Sequence, residues 1–199
     1  MEKRIFDFFV SLIGLVILSP LLLIIALLIK LDSKGPVFFC QQRVGFKGKN
    51  FYIYKFRTMS EEAGENQEEV FAVGEDKRVT RIGRFLRNWK FDEFPQLINV
   101  LIGEMGIVGP RPELPKYVDN YSEKEKTKIF SVRPGITSLA SMEYRQEENI
   151  LAKSSQPEED YIHKIRPEKN SLDLEYVEKQ SFHFDLLIIL ETIKKVVFK

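Results

Sequence analysis

Two adjacent carboxylates, Asp92 and Glu93, are followed by Phe94-Pro95 and preceded by arginines at every third position, Arg78, Arg81, Arg84 and Arg87. A carboxylate attacks phosphorus only when ionised, and the positive end of a helix dipole favours the ionised form. Pro95 suits a first helical turn, so the pair is expected just before or within the start of a helix carrying Leu97, Ile98, Val100 and Leu101. Adjacent side chains on a helix point in different directions, so the two carboxylates are expected to have different tasks. An isolated Asp-Glu dipeptide is far more often an ordinary acidic helix start. The interest here lies in the cations around it.

The arginine run alone is weak, because a spacing of three drifts by about 60° per step on a helix and resembles a solvated face. Its company is more informative. Lys55-Phe56-Arg57-Thr58-Met59, Gly109-Pro110-Arg111-Pro112 and Arg133-Pro134-Gly135-Ile136-Thr137 each hold an arginine in a turn-rich context, two of them fixed by proline. Held guanidinium groups donate in a planar fork and stay charged, which suits phosphate. A diphosphate would need several of them.

The elements that position these residues are partly readable. Val37-Phe38-Phe39 and Phe51 to Phe56 flank a turn at 45–50, so a hairpin is expected between about 37 and 57. Thr80 can cap a helix whose apolar residues Ile82, Phe85, Leu86 and Trp89 follow helical spacing. Gly103 and Gly106 are expected to close the next helix. Ser122 to Phe130 reads as a short charged helix, and Phe182 to Phe198 as an aliphatic one with Lys194, Lys195 and Lys199 at its end. That last helix is a candidate for the core or for a membrane interface. Residues 61–76 hold seven acidic and no basic residues, which reads as a solvated loop, with a lid over substrate as the functional alternative.

From Phe8 to Ile29 there are 22 residues without a charge, long enough to cross a bilayer as a helix. Both flanks are basic, with Lys3 and Arg4 before and Lys30, Lys34, Arg43, Lys47 and Lys49 after, and a single span can keep only one of them inside. Ser19-Pro20 stands near the middle, where proline removes a donor and a serine hydroxyl can satisfy the freed carbonyl. Each arm of about a dozen residues reaches roughly 18 Å, short of the ~30 Å hydrocarbon core. A helix-break-helix that returns to the same face satisfies both observations.

The 199 residues allow one globular domain, and a net charge of +1 gives no global field for nucleic acid. Basic residues are not interleaved with aromatics as a stacking platform for single strands requires. Cys40 is the single cysteine, and neither His163 nor His183 has a zinc-site spacing. A glycosidase is disfavoured, since its two carboxyls flank a bond at about 5 Å or more. A basic membrane adaptor that holds anionic lipid or a partner protein is the non-enzymatic alternative.

The chain resembles the small monotopic phosphoglycosyl transferases, the bacterial sugar transferase family, in its minimal catalytic-domain form. The resemblance rests on Ser19-Pro20, KFRTM at 55–59, DKRVTRIGRFLR at 76–87, DEFPQLINVLIGEMGIVGPRP at 92–112, RPGIT at 133–137 and YVEKQSFHFDLLIILETI at 176–193. It implies an α+β, predominantly α-helical fold: a re-entrant membrane helix over residues 1–31, and a cytoplasmic-face catalytic domain over 32–199 with a short hairpin and interfacial helices. The implied reaction moves a sugar phosphate from a UDP-sugar to undecaprenyl phosphate at the bacterial inner membrane, with UMP released.

The same resemblance implies that Asp92 is the nucleophile and that Glu93 is a general base or helps to hold Mg2+, so both carboxylates are candidate metal ligands. Implied substrate contacts come from Lys55, Arg57, Arg78 and Arg87, from Gln96, and from Pro110, Arg111 and Pro112. Arg133 and Arg145 complete the set. Membrane lipid and downstream glycosyltransferases are the implied partners, with a homodimer left open. Gly106 departs from the family's common serine, and 138–144 lacks the pattern of the longer hexose-phosphate members.

Overall fold

A computed structural model describes residues 2–60 and 76–198. The acidic stretch at 61–76 lies outside the described residues apart from Asp76. The first element, α1 (Glu2–Asp32), is a helix of 31 residues with Pro20 inside it. The Ser19 hydroxyl donates to the Val16 carbonyl at 2.8 Å, which is the acceptor that Pro20 has no N–H to reach. The expected break is therefore absorbed: the residues on either side of Pro20 remain helical.

Both ends of α1 are fastened to the rest of the chain. Near its start, Arg4 donates to the carbonyls of Val100 and Leu101 at 2.6 and 2.9 Å, and Lys3 Nζ reaches Asp185 Oδ2 at 2.5 Å. Near its end, Ile25 and Ile29 pack with Phe56 and Leu86, and Asp32 accepts the Ile82 N–H at 3.0 Å. Burying two isoleucines contributes roughly 1.5–3 kcal/mol each. The opposite face, including Val16, Ile17, Leu23 and Leu31, is bare, Leu23 being 71 % exposed.

The hairpin forms as expected. Strands β1 (Phe38–Val44) and β2 (Asn50–Phe56) pair antiparallel, with Phe38 opposite Phe56 and Val44 opposite Asn50. Helix α2 (Arg81–Trp89) starts on Thr80, whose hydroxyl accepts the Gly83 N–H. It lies so close to the end of β2 that a Cβ on Gly83 would stand 2.1 Å from the Thr58 carbonyl oxygen. Helix α3 (Gln96–Ile102) ends on Gly103, at φ 93°. Gly106 does not share in that cap; it opens β3 (Gly106–Val108), which pairs parallel with β4 (Gly135–Thr137).

The remainder is helical: α4 (Pro115–Val118), α5 (Glu123–Ile129), α6 (Leu139–Glu143), α7 (Glu147–Leu151), α8 (Pro157–Asp160), α9 (Arg166–Lys179) and α10 (Phe182–Val197). Ser122 caps α5 in a reciprocal capping box with Glu125. The core comes in several small clusters, among them Phe51, Ile53, Val100 and Met105 under the hairpin, and Val108, Tyr176 and Ile188 under α10. The architecture is thus α+β and mostly helical, as the sequence implied.

Candidate active site

Helix α2 ends at Lys90 in the left-handed conformation (φ 58°), and the chain then makes a tight turn over Phe91–Glu93 before Pro95 leads into α3. This turn places Asp92 and Glu93 between two helices and against β2, at 8 % and 9 % exposure. The carboxylates thus precede α3 rather than sit inside its first turn.

The two have opposite surroundings. Glu93 Oε1 accepts from Lys55 Nζ at 2.8 Å and from Arg111 Nη2 at 2.6 Å, while Oε2 is 3.5 Å from Arg111 Nη1. Burial alone would raise Glu93, but the charges of Arg111 and Lys55 outweigh it and hold the carboxyl well below the usual range. For Asp92, burial and then the adjacent Glu93 charge push the carboxyl up, against Lys55, Lys90 and Arg87. Its Oδ1 is buried with no hydrogen-bond partner. At Asp92 desolvation and the like charge of Glu93 thus act against the ionised form that a helix start favours.

The predicted cations divide. Lys55 and Arg111 meet on Glu93, and Arg87, whose Nε donates to Thr58 Oγ1 at 2.9 Å, is near enough to lower Asp92. The carbonyls of Pro110 and Pro112 accept from Gly135 N at 2.9 Å and Arg43 Nη1 at 3.3 Å, which fixes the loop on both sides of Arg111. Gln96 is buried at the start of α3, one turn beyond the pair. Arg78 is clasped by Asp76, with Nη2 at 2.7 Å from Oδ2.

Two arginines are placed elsewhere. Arg57 donates to the carbonyls of Ser33 and Lys34 and fastens the turn after α1. Arg133 Nε donates to the Gly103 carbonyl at 2.8 Å, so with Arg4 it answers the exposed carbonyls at the far end of α3. Neither reaches the carboxylate pair in this arrangement.

A cavity of about 580 Å³ opens beside Glu93. One end holds Glu93, Arg111, Arg145, Glu147 and Lys169; the rest is an apolar trough with Val10, Gly14 and Leu18 of α1 on one side and Ile189, Ile193 and Val196 of α10 on another. Arg145 Nη2 is buried without a hydrogen-bond partner. Lys90 and Lys169, the latter bonded to Glu147 at 2.7 Å, stand outside the set that the sequence marks. Lys90 is close to Asp92 in the chain, and that proximity is a signal that could find it. Lys169 stands on a helix with no apolar period to reveal it.

Of the carboxylate pair it is Glu93, not Asp92, that lines this cavity. The chain belongs to the bacterial sugar transferase family, which it matches over residues 1–199. Among its relatives are the undecaprenyl-phosphate glucose phosphotransferase of Komagataeibacter xylinus, 39 % identical over 100 % of this chain and 36 % of that protein, and the UDP-N-acetylgalactosamine-undecaprenyl-phosphate N-acetylgalactosaminephosphotransferase of Aeromonas hydrophila, 36 % identical over 98 % and 43 %. The exopolysaccharide production protein ExoY of Rhizobium meliloti (strain 1021) is 33 % identical over 98 % of this chain and 85 % of its own length. The chain therefore spans less than half of the first two relatives and most of the third.

Proposed function

We propose that the chain transfers a sugar 1-phosphate from a UDP-sugar to undecaprenyl phosphate, as the first membrane step in building a bacterial glycan. The observation that carries this reading is the buried, unpartnered Oδ1 of Asp92, set among Lys55, Lys90 and Arg87 beside a cation-locked Glu93. An Asp92 oxygen attacks the sugar-bearing phosphorus; the bond from that phosphorus to the bridging oxygen breaks, and UMP leaves with the electron pair. A phosphate oxygen of the lipid then attacks the same phosphorus and expels the Asp92 carboxylate, which gives the lipid diphosphate sugar.

The cations do most of the remaining work. Glu93 holds Lys55 and Arg111 in place, so their charge is fixed before the diphosphate arrives. Arg145, with a free donor in the cavity wall, receives the phosphate of the lipid, and the trough between α1 and α10 takes its first isoprene units. Among the described residues no group of three or more His, Cys, Asp or Glu side chains can hold a metal. Mg2+ nevertheless suits the site, because it commonly uses one or two carboxylates and completes its shell with phosphate oxygens and water. Asp92 is the first ligand by its free Oδ1, with Glu93 the adjacent carboxylate; when bound, the ion would neutralise diphosphate charge.

Purified protein with labelled UDP-sugars and undecaprenyl phosphate should release UMP and form a lipid-linked product, and Asp92→Asn should lower turnover by about 10³-fold or more. Near wild-type turnover in that variant would overturn the assignment and leave the adaptor reading in its place.

A further inference from the structure

Helix α9 buries a polar face, with Arg166, Lys169, Asn170 and Asp173 among its buried residues. Of these four it is Lys169 that lines the cavity beside Glu93, where it meets Glu147 of α7. Its Nζ donates to Glu147 Oε2 at 2.7 Å and stands 5.1 Å from the centre of the Tyr161 ring, so the ammonium is held from two sides. The lysine side chain is 10 % exposed and the glutamate side chain 22 %, which fixes the carboxylate at the cavity wall. Glu93 and Glu147 are used differently. Glu93 has both oxygens on cations, whereas Glu147 Oε1 takes no hydrogen bond from the described residues. Arg145 Nη2, in the same wall, is a buried donor without an acceptor. The polar end of the cavity thus offers a ligand one open acceptor and one open donor.

We propose that Glu147, held by Lys169, is the subsite for the sugar of the donor, where its carboxylate accepts hydrogen bonds from neighbouring sugar hydroxyls. This deepens the proposed function and rests on it. An ionised carboxylate only accepts, so the part of the substrates that meets it must donate. Phosphate oxygens are negative and are repelled, and isoprene units have nothing to donate. Uracil has a single N–H between two carbonyls, and those carbonyls would face the same charge. A sugar carries hydroxyls on adjacent carbons, and the carboxylate keeps lone pairs on both oxygens even when one already holds Lys169. The ribose has such hydroxyls too, but a diphosphate separates it from the sugar, and only the sugar is bonded to the phosphorus that Asp92 attacks. The neighbouring lysine offsets the glutamate charge, so the subsite adds no net negative charge beside the phosphate.

Calorimetric titration separates this subsite from the rest of the donor, because UDP keeps the uracil, ribose and diphosphate and lacks only the sugar. Full-length protein carrying Asp92→Asn takes up no phosphosugar while UDP, UDP-glucose and UDP-N-acetylgalactosamine are compared. At least one UDP-sugar should bind more tightly than UDP. Adding Glu147→Gln should weaken that UDP-sugar by about tenfold and leave UDP within about twofold. Glu147→Gln combined with Lys169→Met, which leaves no buried charge alone, should do the same. Equal weakening of UDP and UDP-sugar in both variants, or a preference for the UDP-sugar that both leave intact, would overturn the subsite. So would UDP-sugars that bind no better than UDP. Absence of UMP release by the unmodified protein would instead count against the transfer reaction itself.

Discussion

Asp92 and Glu93 are neighbours in the chain with opposite electrostatic fates, and their pH dependence should differ accordingly. Glu93 is held below its usual value by Arg111 and Lys55 against burial, so its contribution to stability is present above the unfolded value and is lost as pH falls through the folded one. Asp92 is raised, chiefly by burial, so its ionised form is a burden on the fold at neutral pH. Asp92→Asn is therefore expected to melt no lower than wild type at pH 7, and higher by roughly a few degrees, even as turnover disappears. A marked fall in Tm would show that the carboxylate is structural. Because Lys55 opposes the rise of Asp92, replacing it with methionine should move the acid limb of turnover to higher pH and cut the rate at pH 7 by about tenfold. A profile of kcat against pH decides this, and an acid limb that stays in place would remove Lys55 from the account. At this scale the sequence revealed which arginines sit in rigid turns but not their direction. Arg111 faces a carboxylate, whereas Arg57 and Arg133 face carbonyls at the ends of α1 and α3, and a guanidinium in a turn suits either equally well.

Among the elements, legibility followed the kind of residue that was buried. The hairpin, α2 and α10 carry alternating or helical apolar patterns, α5 is marked by its charges, the helices have real caps at Thr80, Ser122 and Ser181, and all four appear where they were expected. Helix α9 has the same helical spacing but in polar residues, so a search for apolar periodicity passes over it. Strands β3 and β4 have three residues each, too few for any period to show. What no local pattern reveals is the approach of α2 to β2, which depends on Gly83: a Cβ there would meet the Thr58 carbonyl oxygen at 2.1 Å and its Cα at 2.7 Å. Gly83→Ala must push α2 away from the backbone that carries Thr58, and so pull Arg87 from its bond to the Thr58 hydroxyl. A loss of about 1–3 kcal/mol in denaturant unfolding is expected, with a larger proportional loss of turnover than of fold. An unchanged unfolding midpoint would mean that the close approach is not maintained in solution.

For the molecule as a whole, the decisive feature is how the long apolar helix is attached. A straight helix of 31 residues extends ~46 Å, well beyond a hydrocarbon core of ~30 Å, so its length alone would permit a crossing. Its contacts oppose one. Lys3, Arg4 and Asp7 are engaged with Asp185, with the Val100 and Leu101 carbonyls and with the Ile107 N–H, while Ile25, Ile29 and Asp32 engage Phe56, Leu86 and Ile82. A helix tied at both ends to one folded body cannot place those ends on opposite faces of a bilayer unless the body crosses too. The bare residues Val16, Ile17, Leu23 and Ile24 lie between the two ties, on the side left for lipid. The trough beside Arg145 has residues of α1 on one side and of α10 on another, so it borders the same apolar helix. With Cys40 replaced by serine, single cysteines at Glu2 and Lys34 are thus expected to react with an impermeant maleimide from the same side. Labelling of position 2 only from the opposite side would mean that α1 spans, and that its contacts with the domain are broken in the membrane.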